Sequence, residues 1–443
     1  MGIFKAYDIR GVYGVDLDED KAYKIGRAYV KFANPRKVVV GRDCRVHSEP
    51  LFKALAEGIT QAGADVIDIG MVSTPMSYFA NGILGAGGSV MITASHNTKE
   101  WNGFKLCKAN AVPISGATGI KEIERMVLEN DFGEKAPVPG RIYKEDVAAR
   151  YADHVKKFAH MSRPLHIAVD YANGMGIAES IAFNGSGLSI DALYGDYNGD
   201  FPNHEANPLH TATLADLQAK VRSGSYAFGV AFDGDADRAG FVDEKGDIIP
   251  MDMITALIAQ DLLAQNPGAA VFYDLRSSKV VAEVIEAAGG RPMMSRVGHS
   301  FIKEQMRAND AIFAGELSGH YYFKANFTAE SSSMAVYALA NIVSRSQKPL
   351  SELVAPMRKY FQSGEINSTV KGDPAAVLAK IKEVYSAKAK VFELDGVSVQ
   401  TEEGWWCNVR MSNTEPVVRL NLEGDTRELM ESKRDELLSL IRA

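Results

Sequence analysis

Four short polar segments of the sequence combine residue types that can do chemistry, and each adjoins an apolar run that predicts a buried strand. They begin at Ser95, Asp233, Glu316 and Arg410. In open α/β folds, ligand sites form where loops leave the carboxyl ends of parallel strands. We therefore treat the four segments as candidate parts of one site.

Ser95 is the candidate nucleophile. The apolar run at 90–92 leads into the sequence TASHN, which does not match the GxSxG pattern of acyl-transferring serine enzymes. A lone serine at such a turn would more commonly serve as a cap. A serine that accepts a phosphoryl group needs a nearby cation and a base, and Lys105 or His96 would help with the second.

The second segment, DGDADR, places carboxylates at alternate positions, at Asp233, Asp235 and Asp237. Three acids gathered within about 4 Å repel by about 4 kcal/mol per pair at an effective dielectric constant of about 20, so their convergence requires a cation. Oxygen ligands favour a hard ion, most naturally Mg²⁺. A solvated acidic turn is the alternative. A calcium-binding loop is disfavoured because no helix is predicted before the segment.

The other two segments suit ligand binding. GELSGH offers Glu316 and Ser318 as partners for sugar hydroxyls and His320 as an acid or base, although a lone histidine is more commonly structural. RMSNTEPVVR begins at Arg410, whose guanidinium can hold a phosphate by paired hydrogen bonds. Without a ligand, the same segment would be an ordinary polar turn. Its candidate phosphate-binding residues are Arg410, Ser412, Asn413, Thr414 and Arg419.

The elements that must position these segments repeat one plan of strand, helix, strand and polar loop. In the first unit, Leu51, Leu55 and Ile59 form the apolar stripe of a helix over 49–63. The plan recurs up to the strand at 226–232, and again between 251 and 314. This repetition predicts three related mixed α/β domains.

The predicted pattern of secondary structure changes from about residue 361. Short strands joined by turns and closed by a helix at 427–441 predict a small α+β domain. A proline- and glycine-rich stretch at 131–140 reads as a connection between the first two domains. The predicted domains are 1–140, 141–246, 247–362 and 363–443, arranged around a central cleft.

Composition excludes several classes of protein. The 443 residues exceed what one core usually organises, and no apolar run approaches the roughly 20 residues of a membrane helix. The net charge of −7 argues against nucleic-acid binding, and three scattered cysteines suggest neither disulfides nor a zinc site. No secretory signal is evident at the N-terminus. We expect a cytoplasmic protein without nucleic-acid or membrane partners.

Taken together, the motifs resemble those of the α-D-phosphohexomutases. TASHN with NGFK, DGDADR, GELSGH and RMSNTEP occur in the order and approximate spacing of that family, and YDIRG at 7–11 and VGRD at 40–43 add to the match. The resemblance spans nearly the whole chain. GELSGH is similar to the loop of the mannose and glucose enzymes, whereas SNTEP differs from the SGTEP of phosphoglucosamine mutases, so an amino-sugar substrate is the second choice.

The resemblance implies a mechanism. Ser95 would carry a phosphoryl group, and one Mg²⁺ would bind Asp233, Asp235, Asp237 and an oxygen of the phosphoserine. The phosphoryl group would pass to a hexose phosphate, and the resulting glucose or mannose 1,6-bisphosphate, which also acts as the activator, would turn over and return its other phosphoryl group. The chain would be a monomer or a weak homo-oligomer.

The resemblance also assigns roles to individual residues. Those expected to stabilise charge or transfer protons are Arg10, His96, Lys105 and His320. Those expected to contact the substrate are Arg238, Arg276, His299, Glu316, Ser318, His320, Arg410, Ser412, Asn413, Thr414 and Arg419.

The sequence differs from the family pattern at several places, two of which lie at the predicted sugar- and phosphate-binding loops. Arg276 stands where a lysine is common, and TAESSS at 328–333 lacks the usual acidic-Gly ending. Both bear on specificity more than on the class of reaction. Two other functions stay open. A metal-dependent phosphatase could use Ser95 and the aspartates if water reached the phosphoserine, and a sugar-phosphate sensor would need no nucleophile or metal.

Overall fold

The computed structural model describes residues 2–370, 372–411 and 417–442 and contains four β-sheets. The strands of the first sheet are β1 (Ile9–Val12), β2 (Lys37–Arg42), β3 (Asp65–Met71), β4 (Gly88–Ile92), β5 (Trp101–Lys108), β6 (Val112–Pro113) and β7 (Ile142–Lys144). Their order is β1-β5-β4-β2-β3-β7, with β6 beside β5. The helices of this unit are α1 (Glu19–Ala33), α2 (Ser48–Gln61), α3 (Thr74–Ile83) and α4 (Lys121–Glu129).

The second unit has a five-stranded sheet in the order β12-β11-β10-β8-β9. Its strands are β8 (Leu165–Asp170), β9 (Leu188–Leu193), β10 (Gly229–Phe232), β11 (Ala239–Val242) and β12 (Ile248–Ile249). Its helices are α5 (Ala148–Lys156), α6 (Gly176–Phe183) and α7 (Ala215–Arg222).

The third unit has a five-stranded sheet in the order β14-β13-β15-β16-β17. Its strands are β13 (Ala270–Asp274), β14 (Arg291–Ser295), β15 (Phe313–Gly315), β16 (Tyr321–Phe323) and β17 (Ala329–Glu330). Its helices are α8 (Met251–Gln265), α9 (Lys279–Ala287), α10 (His299–Ala308), α11 (Ser332–Arg345) and α12 (Leu350–Val354).

These three sheets place their polar loops in the same way. In each sheet, the strand before the loop pairs in parallel with a neighbour, which is β2, β8 or β13. The strand after the loop then pairs antiparallel with the strand before it. The pairs are β4 with β5, β10 with β11, and β15 with β16. The segments that begin at Ser95, Asp233 and Glu316 are therefore equivalent turns of three related sheets.

The fourth unit is a fully antiparallel sheet in the order β18-β22-β21-β20-β19. Its strands are β18 (Phe361–Thr369), β19 (Lys390–Phe392), β20 (Val397–Gln400), β21 (Trp405–Met411) and β22 (Val417–Gly424), and its helices are α13 (Pro374–Tyr385) and α14 (Arg427–Arg442). The predicted fold class of three mixed α/β units and one α+β unit is confirmed.

One continuous apolar core joins the first three units. It includes Val39 and Phe79 of the first unit, Phe232 of the second, and Phe313 and Tyr337 of the third. The other face of the first sheet has its own core under α1 and α2, and the fourth unit has a separate one. Burial of apolar surface therefore holds the first three polar loops in a fixed relation.

The sheets place two elements in a way that local sequence patterns do not give. Lys105 lies within strand β5, paired with Met91. Strand β7 follows the predicted boundary at residue 140 yet pairs with β3 of the first sheet. The predicted domain boundaries stay predictions. Within the described ranges, no helix combines the length and the hydropathy that crossing a bilayer requires.

Candidate functional site

Ser95 lies in a buried turn directly after β4. Its backbone has φ of 53°, in the left-handed region, and its N–H donates to Oγ1 of Thr93 at 2.9 Å. A non-glycine residue in this region costs free energy, and such residues concentrate at functional sites. Nδ1 of His96 lies 3.2 Å from the Ser95 hydroxyl. Burial, with Arg238 and Arg10, holds the pKa of His96 well below its usual value, so that its imidazole is neutral.

Arg45 holds this turn together, and the sequence reasoning missed it. Its fully buried guanidinium donates to the carbonyls of Ser95 and Asn97 at 2.8 and 2.7 Å, and also to those of Thr98 and Trp101. Asp43 accepts from Nε of the same side chain. The only signal in the sequence was its place just after the VGRD motif. A rigid scaffold of this kind fixes a reactive group more precisely than a free loop would.

The loop at 233–238, which holds the predicted metal ligands and is called the metal loop below, contacts the turn at 93–97 around Ser95, called the serine turn. The Ser95 hydroxyl donates to Oδ2 of Asp233 at 2.8 Å. At Gly234, a Cβ atom would lie 2.3 Å from the Ser95 carbonyl oxygen, so only glycine allows the two loops to come this close. The predicted nucleophile and the first predicted metal ligand are therefore neighbours across a domain boundary.

The three aspartates form a buried cluster that fits a divalent cation. Asp233, Asp235 and Asp237 each offer one oxygen, and these atoms lie within 4.8 Å of one another. Within the described part of the chain, Oδ1 of Asp235 is buried and accepts no hydrogen bond. Buried carboxylate oxygens need a donor or a cation, and three oxygens are a suitable donor set for a hard ion.

Lys105 supplies positive charge to the same cluster. Its Nζ lies 2.7 Å from Oδ2 of Asp235 and also contacts Asp237. Burial opposes its charge, but these two carboxylates outweigh the effect and raise the pKa of Lys105. Burial and then the neighbouring carboxylates raise the pKa of Asp233. At Asp237, Lys105 and His320 outweigh burial and hold the pKa well below its usual value.

Arg10 and Arg238 connect these loops to their surroundings. Arg10 pairs with Asp8 at 2.7 Å and donates to the Ala94 carbonyl at 3.1 Å, just before the nucleophile. Nε of Arg238 lies 3.8 Å from Oδ2 of Asp233 and 3.2 Å from Nε2 of His320. Both arginines therefore place positive charge beside the turn that contains Ser95 and the loop that begins at Asp233.

The third loop brings His320 against the metal loop. Nε2 of His320 lies 3.3 Å from Oδ1 of Asp237, and Nδ1 lies 3.0 Å from Glu316 and 2.8 Å from the Ser318 hydroxyl. Burial disfavours the imidazolium, but Asp237 and the hydrogen bond that the imidazole donates to Glu316 raise the pKa of His320 to about 9. Glu316 also accepts from the N–H of Gly298 and the hydroxyl of Tyr322, at 3.0 and 2.7 Å.

His299 begins helix α10 beside this cluster. Its ring centroid lies 6.4 Å from that of His320, and its Nδ1 lies 3.6 Å from a buried carboxylate oxygen of Glu330. Burial, together with the charges of Lys303 and Lys105, holds the pKa of His299 well below its usual value. His299 is thus a neutral side chain among charged ones.

The predicted phosphate arginines gather around one carboxylate, Glu365 of β18. Arg410 donates to it at 2.7 Å and Arg419 at 3.1 Å, and Arg276 lies 4.0 Å away. Asp274 holds the Arg276 guanidinium by two hydrogen bonds and accepts from the N–H of Leu317 in the third loop. Ser412, Asn413 and Thr414 lie outside the described residues.

The structure therefore places the predicted residues in two groups. The first is joined by short contacts and contains Ser95, His96, Lys105, Asp233, Asp235, Asp237, Arg238, Glu316, Ser318 and His320. Arg10 reaches this group through the Ala94 carbonyl, and His299 lies beside it. The second contains Arg276, Arg410 and Arg419. Glu365, which joins the second group, carried no signal in the sequence.

Known proteins resemble the chain throughout. Models of phosphoglucomutase/phosphomannomutase match it as alpha/beta/alpha domain I at 1–134, domain II at 149–246, domain III at 250–360, and the C-terminal domain at 365–440. It is 40% identical to a phosphomannomutase of Escherichia coli over 99% of both chains. A phosphoglucomutase of Neisseria gonorrhoeae is 36% identical over 99% of this chain and 96% of its own.

A solved structure gives the same picture. A phosphoglucomutase/phosphomannomutase family protein from Burkholderia thailandensis superposes with a TM-score of 0.92 at 33% identity. The match covers 99% of this chain and 96% of that one. The similarity therefore extends over all four units and is not confined to one of them.

Proposed function

The chain belongs to the phosphoglucomutase/phosphomannomutase family and is a phosphohexomutase, and on that premise we propose that it interconverts hexose 1-phosphates and 6-phosphates of mannose and glucose through a phosphorylated Ser95. The observation that carries the proposal is the hydrogen bond of 2.8 Å from the Ser95 hydroxyl to Asp233. A buried serine hydroxyl beside a carboxylate cluster that suits a divalent ion supports Ser95 as the nucleophile.

The first half of the reaction transfers the phosphoryl group from Ser95 to the free hydroxyl of a hexose monophosphate. The bond from Ser95 Oγ to phosphorus breaks and a bond from the sugar oxygen to phosphorus forms. The sugar hydroxyl gives up its proton, and Ser95 Oγ takes one up as it leaves, so the step is proton-neutral. His96 is a neutral acceptor 3.2 Å from Oγ. The 1,6-bisphosphate then turns over, and its other phosphoryl group returns to Ser95, which restores the phosphoserine.

The residues around Ser95 support this exchange by charge. Arg10, Lys105 and Arg238 face the position of the phosphoryl group and stabilise its oxygens during transfer. Asp233, Asp235 and Asp237 would hold Mg²⁺, which when bound supplies further positive charge to the phosphoryl oxygens. Ser95 is only 1% exposed, so its surroundings exclude water and favour transfer to a sugar over hydrolysis.

The second group of residues would hold the phosphate that does not react. Arg276, Arg410 and Arg419 converge across the third and fourth units, and Ser412, Asn413 and Thr414 would complete this site. The hydroxyls of the sugar would meet Glu316, Ser318 and His320. Because a turned-over bisphosphate presents a phosphate at either end, one phosphate site serves both half-reactions.

A coupled assay tests the function. Mannose 1-phosphate, glucose 1-phosphate and glucosamine 1-phosphate are supplied separately with Mg²⁺ and a catalytic amount of the 1,6-bisphosphate. We expect 6-phosphates from mannose and glucose and much slower turnover of the amino sugar. Release of inorganic phosphate would instead indicate a phosphatase, and faster turnover of glucosamine 1-phosphate would reassign the substrate. Absence of any turnover would favour a sensor.

A further inference from the structure

Glu179 of α6 is a fully buried carboxylate that the proposed reaction does not use. It lies where the first three units meet and accepts a hydrogen bond from each of them. The donors are the hydroxyl of Ser73 from the first unit, the hydroxyl of Tyr151 from the second at 2.8 Å, and the hydroxyl of Ser333 from the third. Burial raises the pKa of Glu179, and these three donors oppose that shift.

Two of the donors lie at helix N-termini. Ser73 is the N-cap of α3, where its Oγ accepts from the N–H of Met76, so its own hydrogen is directed to Glu179. Ser333 lies in the first turn of α11, whose N-cap is Ser331. The N-terminus of a helix favours a negative charge. The Glu179 carboxylate therefore joins the starts of two helices from different units.

The start of α3 also holds the metal loop. Thr74, next to Ser73, donates its hydroxyl to Oδ2 of Asp235 at 2.6 Å and its N–H to the Asp235 carbonyl at 2.9 Å. Asp235 is thus fixed from the first unit, which also carries Ser95. The chain of contacts runs from Glu179 through two consecutive residues to the middle ligand of the carboxylate cluster.

We propose that Glu179 is a positioning residue that sets the metal loop against the serine turn by anchoring the N-terminus of α3. The inference rests on the proposed function, since it explains how that metal site is aligned. It also gives a role to the segment TAESSS at 328–333, because Ser331 and Ser333 belong to it. Without the anchor, α3 is free to shift, and Asp235 shifts with Thr74.

The test compares metal binding with stability. Mn²⁺ affinity is measured by electron paramagnetic resonance, and melting temperature by calorimetry, on full-length proteins matched for Ser95 phosphorylation by intact mass. We expect Glu179→Gln to weaken Mn²⁺ binding by about 10- to 100-fold, the range for outer residues that orient metal ligands. The matched control is Asp252→Asn, which removes another fully buried carboxylate, one that accepts from Gln362 at the boundary with the fourth unit. It should lower the melting temperature only.

Variants that each remove one of the hydrogen-bond donors to Glu179 keep the test decisive if Glu179→Gln does not fold. Ser73→Ala should weaken Mn²⁺ binding because it cuts the link to α3, whereas Ser333→Ala should leave it unchanged. The double variant Glu179→Gln/Thr74→Val should lose less Mn²⁺ affinity than the sum of the two single losses, since both changes act on Asp235 through the start of α3. Additive losses, equal effects of the two serine variants, or no Mn²⁺ binding by the wild type would overturn the inference. A failed mutase assay with the expected pattern of Mn²⁺ affinities would overturn the function alone.

Discussion

The hydroxyl of Ser95 donates to Oδ2 of Asp233 at 2.8 Å, although 138 positions separate the two residues in the chain. This contact joins the serine turn of the first unit to the metal loop of the second. A phosphoryl group on Ser95 would therefore lie beside the carboxylate cluster, where a bound cation and Lys105 can balance its charge.

Replacing Ser95 by alanine should abolish turnover while the fold persists. Alanine keeps the Cβ atom, so the left-handed backbone of the turn is no more strained than before. We expect activity to fall by at least about 10³-fold, as when a covalent nucleophile is removed. Intact mass should show a phosphate on the wild type and on Ser89→Ala, a buried control in the preceding strand β4, but not on Ser95→Ala. Phosphate on Ser95→Ala would contradict the assignment.

Replacing Lys105 by glutamine should separate metal binding from catalysis. The ammonium group contacts two carboxylates of the cluster and repels a cation there. Like charges about 4 Å apart repel by about 4 kcal/mol at a dielectric constant of about 20, so Mn²⁺ should bind at least about tenfold tighter. Turnover should nevertheless fall, because the charge that stabilises the phosphoryl group is lost. The control is Lys108→Gln, an exposed change in the same strand. Weaker Mn²⁺ binding by Lys105→Gln would contradict this prediction and would show that Lys105 mainly orders the metal loop.

His204 should make the stability of the second unit depend on pH. Burial lowers its pKa, but the hydrogen bond of 3.0 Å to Asp170 outweighs that effect and raises the pKa above 6.5. A raised histidine pKa stabilises the fold below the unfolded value, and the contribution is lost as pH rises through the folded value. The melting temperature of the wild type should exceed that of His204→Gln most at about pH 6 and progressively less above it. The exposed His210→Gln is the control, and a gap that widens with pH would refute the argument.

Replacing Glu365 by glutamine should strengthen phosphate binding. Its carboxylate neutralises Arg410 and Arg419 and lies near Arg276, so it competes with a phosphate for the same guanidinium groups. We expect a lower KM for hexose phosphates and stronger inhibition by inorganic phosphate, both by about tenfold, the effect of about 1.4 kcal/mol. Glu402→Gln, an exposed change in the fourth unit, should have neither effect. A higher KM for Glu365→Gln would mean that Glu365 instead orients Arg410 for the substrate.

The sequence predicted the central strands and the four polar segments well, for a physical reason. Strands buried on both faces, such as β2 and β4, are continuous apolar runs, and the polar residues that follow them contrast sharply. Helix α1 was missed even though Asp18 caps it and the buried apolar residues Ala22, Ile25 and Tyr29 recur at helical spacing. That element could have been found.

Other features of the site could not be predicted from local patterns. The guanidinium of Arg45 reaches carbonyls of the serine turn about 50 positions away, and Glu179 meets serines of two other units. Such contacts exist only after the sheets pack together, and an arginine or a glutamate in isolation carries no sign of them. The antiparallel direction of β5 could not be predicted either, because hydrophobic periodicity does not give strand direction.

The shared core of the first three units has a consequence for biosynthesis. As the chain leaves the ribosome, Ser95 emerges first, and the aspartates follow well before Ser333, whose hydroxyl completes the junction around Glu179. The apolar face of the first sheet that packs into that core must wait for the later units, so it is exposed on the nascent chain in the meantime. A partly synthesised chain would therefore expose apolar surface before its site is complete. The period between synthesis of the first and third units is then the stage at which the chain is most prone to aggregate and most in need of chaperones.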